Sequence, residues 1–310
     1  MSVQSIGIIG TGLMGRGIAE VAALAGLRTT LVKYTPGDAD KSRRAIAASL
    51  DKAVARGKLD GERRDLALSL LTVTAERESL RHTDFVVESV VEDLDVKRDL
   101  FADLERRVDT DTVLATNTSS LRVGQVGALL RRVDRLLGLH FFSPVPAMKL
   151  VEIAPTRETA PFAVEKARAL VQALGKTEVL VGDSSGYIVN RLLVPYLLDG
   201  IAALESGLAA PSDIDTAMRL GCGHPMGPLA LSDLIGLDVV YAMARTLYRE
   251  HHDRRYSPPA LLRRLVLANQ LGKKSGAGIY DYSCDPPIAN PNLRAPAPPQ
   301  CEPDEPRAGA

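Results

Sequence analysis

Two residues carry chemistry in places that otherwise read as buried strand. His140 ends the apolar run 136–139 and is followed by the turn Phe141-Phe142-Ser143-Pro144, and Glu152 lies between Val151 and Ile153. The end of a strand in an α/β sheet is where ligands bind. A carboxylate in an apolar run needs a partner. If the two strands lie so that Glu152 faces His140, the carboxylate fixes the imidazole tautomer and stabilises the imidazolium formed when the ring takes a proton, which is general-base chemistry. The alternative is a histidine satisfied as a polar core residue beside a glutamate at a sheet edge. Spacing alone leaves both open.

A second group of residues could hold a dinucleotide. Gly10-Thr11-Gly12-Leu13-Met14-Gly15 follows an apolar strand and opens a helical segment, with another strand near Leu31. In such a turn Gly10 allows the tight bend, Gly12 lets backbone approach a pyrophosphate, and Gly15 lets helix and strand pack closely. The helix N-terminus then points amide groups at the phosphates. After the second strand stands Lys33, where an acid would accept hydrogen bonds from the adenosine ribose. A lysine offers only donors and positive charge, so it suits a ribose 2′-phosphate. Equally, Lys33 extends into solvent while Thr35 or backbone holds an unphosphorylated ribose. NAD and NADP both stay open.

Supporting groups gather around these. Asn117-Thr118-Ser119-Ser120 follows another strand and supplies amide and hydroxyl groups at the same end of the sheet. Asn190 starts the first helix of a second domain, and ligand sites favour domain interfaces. Each alone is also an ordinary turn or cap residue.

The elements that must position them read as α/β. Short apolar or β-branched runs at 6–9, 30–32, 71–74, 85–87, 112–115, 136–141, 150–153 and 178–181 alternate with amphipathic helices such as 95–108 and 162–174. That alternation predicts an open, mostly parallel sheet covered by helices. After Gly182 the pattern predicts helices without strands, over 187–205, 212–220, 229–248 and 258–270. Ser212 and Asp213 read as an N-cap and a first-turn acid, with Pro211 stopping the preceding segment. The Pro-rich tail 284–310 has few large apolar residues and is expected to be disordered.

Composition narrows the function classes. A chain of 310 residues favours two domains. Its 38 Lys and Arg balance 38 Asp and Glu, so no global charge steers it to nucleic acid or an anionic membrane. Three cysteines form neither a disulfide framework nor a metal-ligand spacing, so no metal is expected. With no leader-like N-terminus and no apolar run of membrane length, a cytoplasmic location is expected.

Taken in order, these motifs resemble the L-3-hydroxyacyl-CoA dehydrogenase family, including short bacterial 3-hydroxybutyryl-CoA dehydrogenases, from about Ser5 to Tyr282. Further marks are Val86-Val87-Glu88-Ser89-Val90-Val91-Glu92, Gly138-Leu139-His140-Phe141-Phe142-Ser143-Pro144, Gly186-Tyr187-Ile188-Val189-Asn190-Arg191, His224-Pro225-Met226-Gly227-Pro228 and Gly272-Lys273-Lys274-Ser275-Gly276. The resemblance implies a Rossmann-type doubly wound sheet domain that binds NAD(P), residues 1–185, and an all-α C-terminal dimerisation and substrate domain, residues 186–283. It implies His140 as general base, Glu152 as its orienting partner, and Ser119 and Asn190 bonding the reacting hydroxyl or thioester. It assigns Gly10, Gly12, Leu13, Met14, Gly15, Lys33, Glu92, Lys97 and Asn117 to the cofactor, and Ser49 and Arg56 to the carrier of the acyl group. The implied reaction interconverts 3-hydroxyacyl and 3-oxoacyl thioesters by hydride transfer, in a homodimer.

The sequence departs from the family pattern twice: Lys33 replaces the usual acid, and Ser143 the usual asparagine. The substrate is expected to be an acyl-CoA, with an acyl group on a carrier protein or a free hydroxy acid as alternatives. A dinucleotide-binding structural protein is the alternative outside enzymes.

Overall fold

The computed structural model describes residues 3–35, 37–291 and 293, and divides into two compact units that meet in sequence at Tyr187 and Ile188. The first unit runs β1 (Ser5–Ile9), α1 (Leu13–Leu24), β2 (Arg28–Val32), α2 (Asp40–Ala55), α3 (Gly61–Ser69), β3 (Leu71–Thr74) and β4 (Phe85–Glu88). It continues with α4 (Leu94–Arg107), β5 (Val113–Thr116), the single turn α5 (Val123–Val126), β6 (Leu136–Phe141), β7 (Leu150–Pro155), α6 (Pro161–Ala173) and β8 (Thr177–Leu180). The eight strands expected from the sequence all form, with ends shifted by up to two residues.

They make one sheet in the order β3-β2-β1-β4-β5-β6-β7-β8, parallel throughout except where β7 runs antiparallel to β6. Strands β1, β4, β5 and β6 are buried along their whole length, as expected of a sheet covered on both faces. Alternation of side chains divides them between two cores. Ile6, Ile8, Val87, Leu139 and Phe141 pack on one face, and Ile9, Val86, Leu114 and Leu136 on the other. His140, flanked by Leu139 and Phe141, therefore belongs to the face of Leu136. Local signals set helix ends: Asp93 caps α4 by accepting from the amides of Asp95 and Val96, and Arg106 and Arg107 occupy its last turn.

The second unit contains α7 (Val189–Glu205), α8 (Pro211–Gly221), α9 (Pro228–Ile235), α10 (Leu237–His251), α11 (Ala260–Leu267), β9 (Tyr280–Asp281) and β10 (Ile288–Ala289). Val194, Leu198, Ile201, Leu229, Val240, Leu247, Leu262 and Tyr256 form its core. Four expectations are corrected here. The helix expected over 229–248 is two, broken at Gly236, whose φ of +105° lies outside helical space. Ser212 is not an N-cap: Ala210 holds that position and Pro211 starts α8 at its first turn, where its missing N–H costs nothing. The unit is not free of strands, since β9 and β10 form an antiparallel pair. Finally, the tail is ordered at its start, with Asn290 buried and donating from Nδ2 to the Gly278 carbonyl at 2.7 Å. Burial of Asn290, and the packing of a partly buried Leu293 against the core of this unit, is what composition alone did not reveal. Residues 294–310 lie outside the described residues.

Among the described residues, no helix is long and apolar enough to cross a membrane, and no group of three or more His, Cys, Asp and Glu could hold a metal ion.

Candidate active site

The antiparallel register of β6 and β7 places His140 directly opposite Glu152. Their side chains share a face, and His140 Nδ1 lies 2.8 Å from Glu152 Oε2, with both residues buried. The Phe142 ring lies 4.4 Å from the imidazole by centroids and the Tyr187 ring 5.5 Å, so aromatic walls confine it. A carboxylate on Nδ1 favours the tautomer with the proton on that nitrogen, which leaves Nε2 as an acceptor.

Asn117 leaves the end of β5, and its Oδ1 accepts from the Phe141 amide at 2.8 Å, tying that loop to the residue after His140. The rest of the loop hangs on Glu92. Its Oε1 accepts from the Thr118 hydroxyl at 2.5 Å, the Ser120 hydroxyl at 2.7 Å, and the amides of Ser119 and Ser120 at 3.2 Å each. Burial pushes the Glu92 carboxyl up, but the Lys97 ammonium and the Thr118 and Ser120 hydroxyls outweigh it, so it is held below the usual range. Lys97 Nζ lies 2.6 Å from Glu88 Oε1 and 3.3 Å from Glu92 Oε2, and is itself buried. Thus Glu92 and Lys97, expected at the cofactor, are brought together with Ser119 in one network.

The glycine turn separates into residues that the fold requires and one that it does not. Gly10 has φ of +108°, and a Cβ there would lie 2.1 Å from the Ser89 carbonyl oxygen. A Cβ on Gly15 would lie 1.8 Å from the Gly10 carbonyl oxygen. A Cβ on Gly12 would meet nothing within 4 Å, so the chain itself has no use for a glycine there. An open approach to the backbone at the start of α1, with no side chain capping that helix and no acid in its first turn, fits a dinucleotide pyrophosphate over Leu13 and Met14. Lys33 follows β2 directly. Its amide donates to the Thr74 carbonyl and its Nζ lies 3.4 Å from Thr35 Oγ1; among the described residues it has no carboxylate partner.

Ser49 of α2 lines a cavity of about 270 Å³ together with Leu13, Arg16 and Glu20 of α1 and Pro144 and Val145 of the turn beyond His140. Glu20 is buried there, which pushes its carboxyl up against the opposing effect of the Ser49 hydroxyl bonded to it. Arg56, the residue after α2, is exposed and does not line that cavity. Asn190 stands in the first turn of α7, in the second unit.

Two contributors were not singled out as site residues from the sequence. Glu88 is fully buried at the end of β4, bonding Thr116 Oγ1 and the Val90 amide as well as Lys97. The signal that found Glu152, an acid inside an apolar run, was present there too. Tyr187 adopts φ of +45° and is buried beside His140, where its hydroxyl has no hydrogen-bond partner among the described residues. Burial, reinforced by Asp183, Glu92 and Glu152, pushes that phenol upward. No local pattern announces it, because the contact is made by Gly138, where a Cβ would lie 2.8 Å from the Tyr187 hydroxyl.

Comparison with known proteins gives a consistent match. The 3-hydroxyacyl-CoA dehydrogenase NAD binding domain matches residues 5–184, and the C-terminal domain of the same family matches residues 186–282. A 3-hydroxybutyryl-CoA dehydrogenase of Mycobacterium tuberculosis is 46% identical over 283 residues, covering 91% of this chain and 99% of that protein. Human mitochondrial hydroxyacyl-coenzyme A dehydrogenase is 42% identical over 287 residues, covering 90% and 91%. The crystal structure of (S)-3-hydroxybutyryl-CoA dehydrogenase PaaH1 from Ralstonia eutropha superposes with a TM-score of 0.87 at 38% identity, over 91% of this chain and all of that one.

Proposed function

The chain belongs to the 3-hydroxyacyl-CoA dehydrogenase family, and on that premise we propose that it interconverts 3-hydroxyacyl-CoA and 3-oxoacyl-CoA thioesters of short chain. The observation that carries the reading is the buried His140–Glu152 pair at the C-terminal end of β6. When bound, the nicotinamide ring accepts or gives the hydride. In oxidation, Nε2 of His140 takes the proton of the substrate hydroxyl as hydride leaves the same carbon. Glu152 holds the ring and stabilises the imidazolium that results; reduction reverses both transfers. Ser119, held in its loop by Glu92, and Asn190 are assigned to the hydroxyl or thioester oxygen. Ser49 and Arg56 are assigned to the carrier.

Gly10, Gly12 and Gly15, with Leu13 and Met14, would cradle the dinucleotide phosphates. Asn117, Glu92 and Lys97 belong to the nicotinamide side, Lys97 acting through Glu92 because it is buried. Lys33, free of any carboxylate among the described residues, supports acceptance of a ribose 2′-phosphate, and so of NADP beside NAD. A homodimer is proposed on the exposed apolar side chains of the second unit, among them Leu192, Leu208, Leu220 and Leu267.

The test is initial-rate reduction of acetoacetyl-CoA with NADH and NADPH in parallel, comparing wild type with His140→Gln. Turnover by wild type and loss of most of the rate in the variant, with cofactor binding kept, are expected. An inert wild type would instead point to carrier-protein thioesters or free hydroxy acids.

A further inference from the structure

At the opposite end of β6 from His140 lies a cavity of about 410 Å³, lined by Ala102, Glu105 and Arg106 of α4, by Thr110, and by Leu129, Arg131, Arg132 and Arg135. We propose that it is a second binding site, for a phosphate-bearing small molecule the size of a mononucleotide, independent of the catalytic cleft.

The cavity gathers cationic side chains that the protein pairs only in part. Arg135 is 2% exposed, and its guanidinium meets only carbonyls, Asp109 at 2.6 Å, Thr112 at 3.4 Å and Glu105 at 3.3 Å. Its Nε is buried without a partner, and among the described residues no carboxylate forms an ion pair with it. The three carbonyls hold it rigidly at the end of α4, so it is a fixed cation in the wall of the cavity. Glu105 is the one acid lining the cavity. Its carboxylate is engaged by the backbone amides of Arg131, at 3.0 and 3.1 Å, and of Arg132, at 2.8 Å.

The remaining arginines differ in how far they are already paired. Arg132 is held by both oxygens of Asp134 at 2.8 Å each. Arg106 reaches Asp103 only at 3.5 Å, and the guanidinium of Arg131 has no partner among the described residues. Two exposed guanidinium groups in the lining are thus available beside a third that three carbonyls hold. Planar forks of this kind match phosphate oxygens in pairs, and an anion between them would offset a repulsion that the protein otherwise carries. The volume lies within the range of small-ligand pockets, and Leu129 and Ala102 offer an apolar patch beside the cations. Arg135 precedes β6 directly and His140 lies five residues on, so the two sites are separated by roughly 17 Å along one strand at about 3.3 Å per residue.

The test is calorimetric titration of the full chain, saturated with NADH, NADPH and CoA to occupy the dinucleotide and thioester sites, with inorganic pyrophosphate and with ADP in separate arms. Wild type, Arg106→Gln, Arg131→Gln and, as a control in α11, Arg263→Gln are compared; all three arginines are exposed, and circular dichroism checks that each variant folds. The expected result is saturable binding that weakens about tenfold or more in Arg106→Gln and Arg131→Gln and is unchanged in Arg263→Gln. Tighter binding of ADP than of pyrophosphate would identify a nucleotide ligand, and equal binding a polyphosphate. No saturable binding up to about 10 mM of either probe, or binding that neither Arg106→Gln nor Arg131→Gln weakens, overturns the proposal. Because binding is read directly, the outcome does not depend on which thioester the enzyme turns over.

Discussion

His140 and Glu152 are direct cross-strand neighbours, joined Nδ1 to Oε2 at 2.8 Å inside the sheet. In the proposed reaction the pair has separable parts: the ring would move the proton, and the carboxylate would orient the ring. His140→Gln is expected to lower kcat by about 10²–10⁴-fold with little change in cofactor affinity. Glu152→Gln keeps a hydrogen-bonding group but removes the charge that stabilises the imidazolium, so it should lower kcat less and alter the pH–rate profile. Steady-state rates across pH, with cofactor binding followed by fluorescence, separate the two. Equal activity of all three proteins would remove His140 from the chemistry.

Gly12 and Gly15 should fail differently when changed to alanine. The Gly15 Cβ would overlap the Gly10 carbonyl, so Gly15→Ala is expected to destabilise the fold by about 2 kcal/mol or more. The Gly12 Cβ enters open space, so Gly12→Ala should melt as wild type does while cofactor affinity falls about tenfold or more. Thermal melts and cofactor titrations of the two variants check this. Unchanged cofactor affinity in Gly12→Ala would place the dinucleotide elsewhere.

Lys33→Glu should move cofactor preference toward NADH. The substitution replaces a cation that can pair with a 2′-phosphate by an anion that repels it and accepts ribose hydroxyls. The ratio of kcat/KM for NADPH over NADH is expected to fall by about 10–100-fold, the equivalent of one charge-assisted contact. A ratio that does not move means the lysine side chain lies in solvent.

Asp233 makes the second unit sensitive to pH. It is fully buried, and burial pushes its carboxyl up to about 6 although it accepts from the amides of Ile279 and Tyr280 and the hydroxyl of Tyr282. The folded state therefore binds this proton more tightly than the unfolded chain, whose value is 3.8. The contribution to stability is complete below that value and is lost as pH rises through about 6, amounting to at most about 3 kcal/mol. Denaturant melts of wild type and Asp233→Asn between these limits should differ in slope against pH. Parallel curves would show that the amide bonds hold Asp233 ionised throughout.

The exposed leucines of the second unit predict self-association. Light scattering after gel filtration should give twice the mass of the chain, and replacing Leu220 and Leu267 by lysine should shift it toward one copy. A monomer at all concentrations would reject the dimer.

Much of this was legible from residues in order. Alternating apolar runs located every strand of the sheet, because a strand buried on both faces admits little else. The buried acids behave likewise: Glu152 announced a partner by its position. The break at Gly236 was not legible, since a helix tolerates an isolated glycine and only the positive φ shows that this one ends a helix. Nor was the start of the tail, whose single buried Asn290 is held by a carbonyl twelve residues away.

What the sequence by itself determined is the order of elements, the glycine turn and the placing of a histidine and an acid within apolar strands, because these depend on period, residue type and near neighbours. What only the tertiary structure decided is pairing across the sheet: that β7 turns back against β6, that its register sets Glu152 opposite His140, and that Glu92 gathers Thr118, Ser119 and Ser120. The physical reason is that side chains alternate along a strand, so a slip of one residue would have turned Glu152 to the other face and left both groups buried without each other. Register is a property of two strands at once, and no single stretch of sequence contains it.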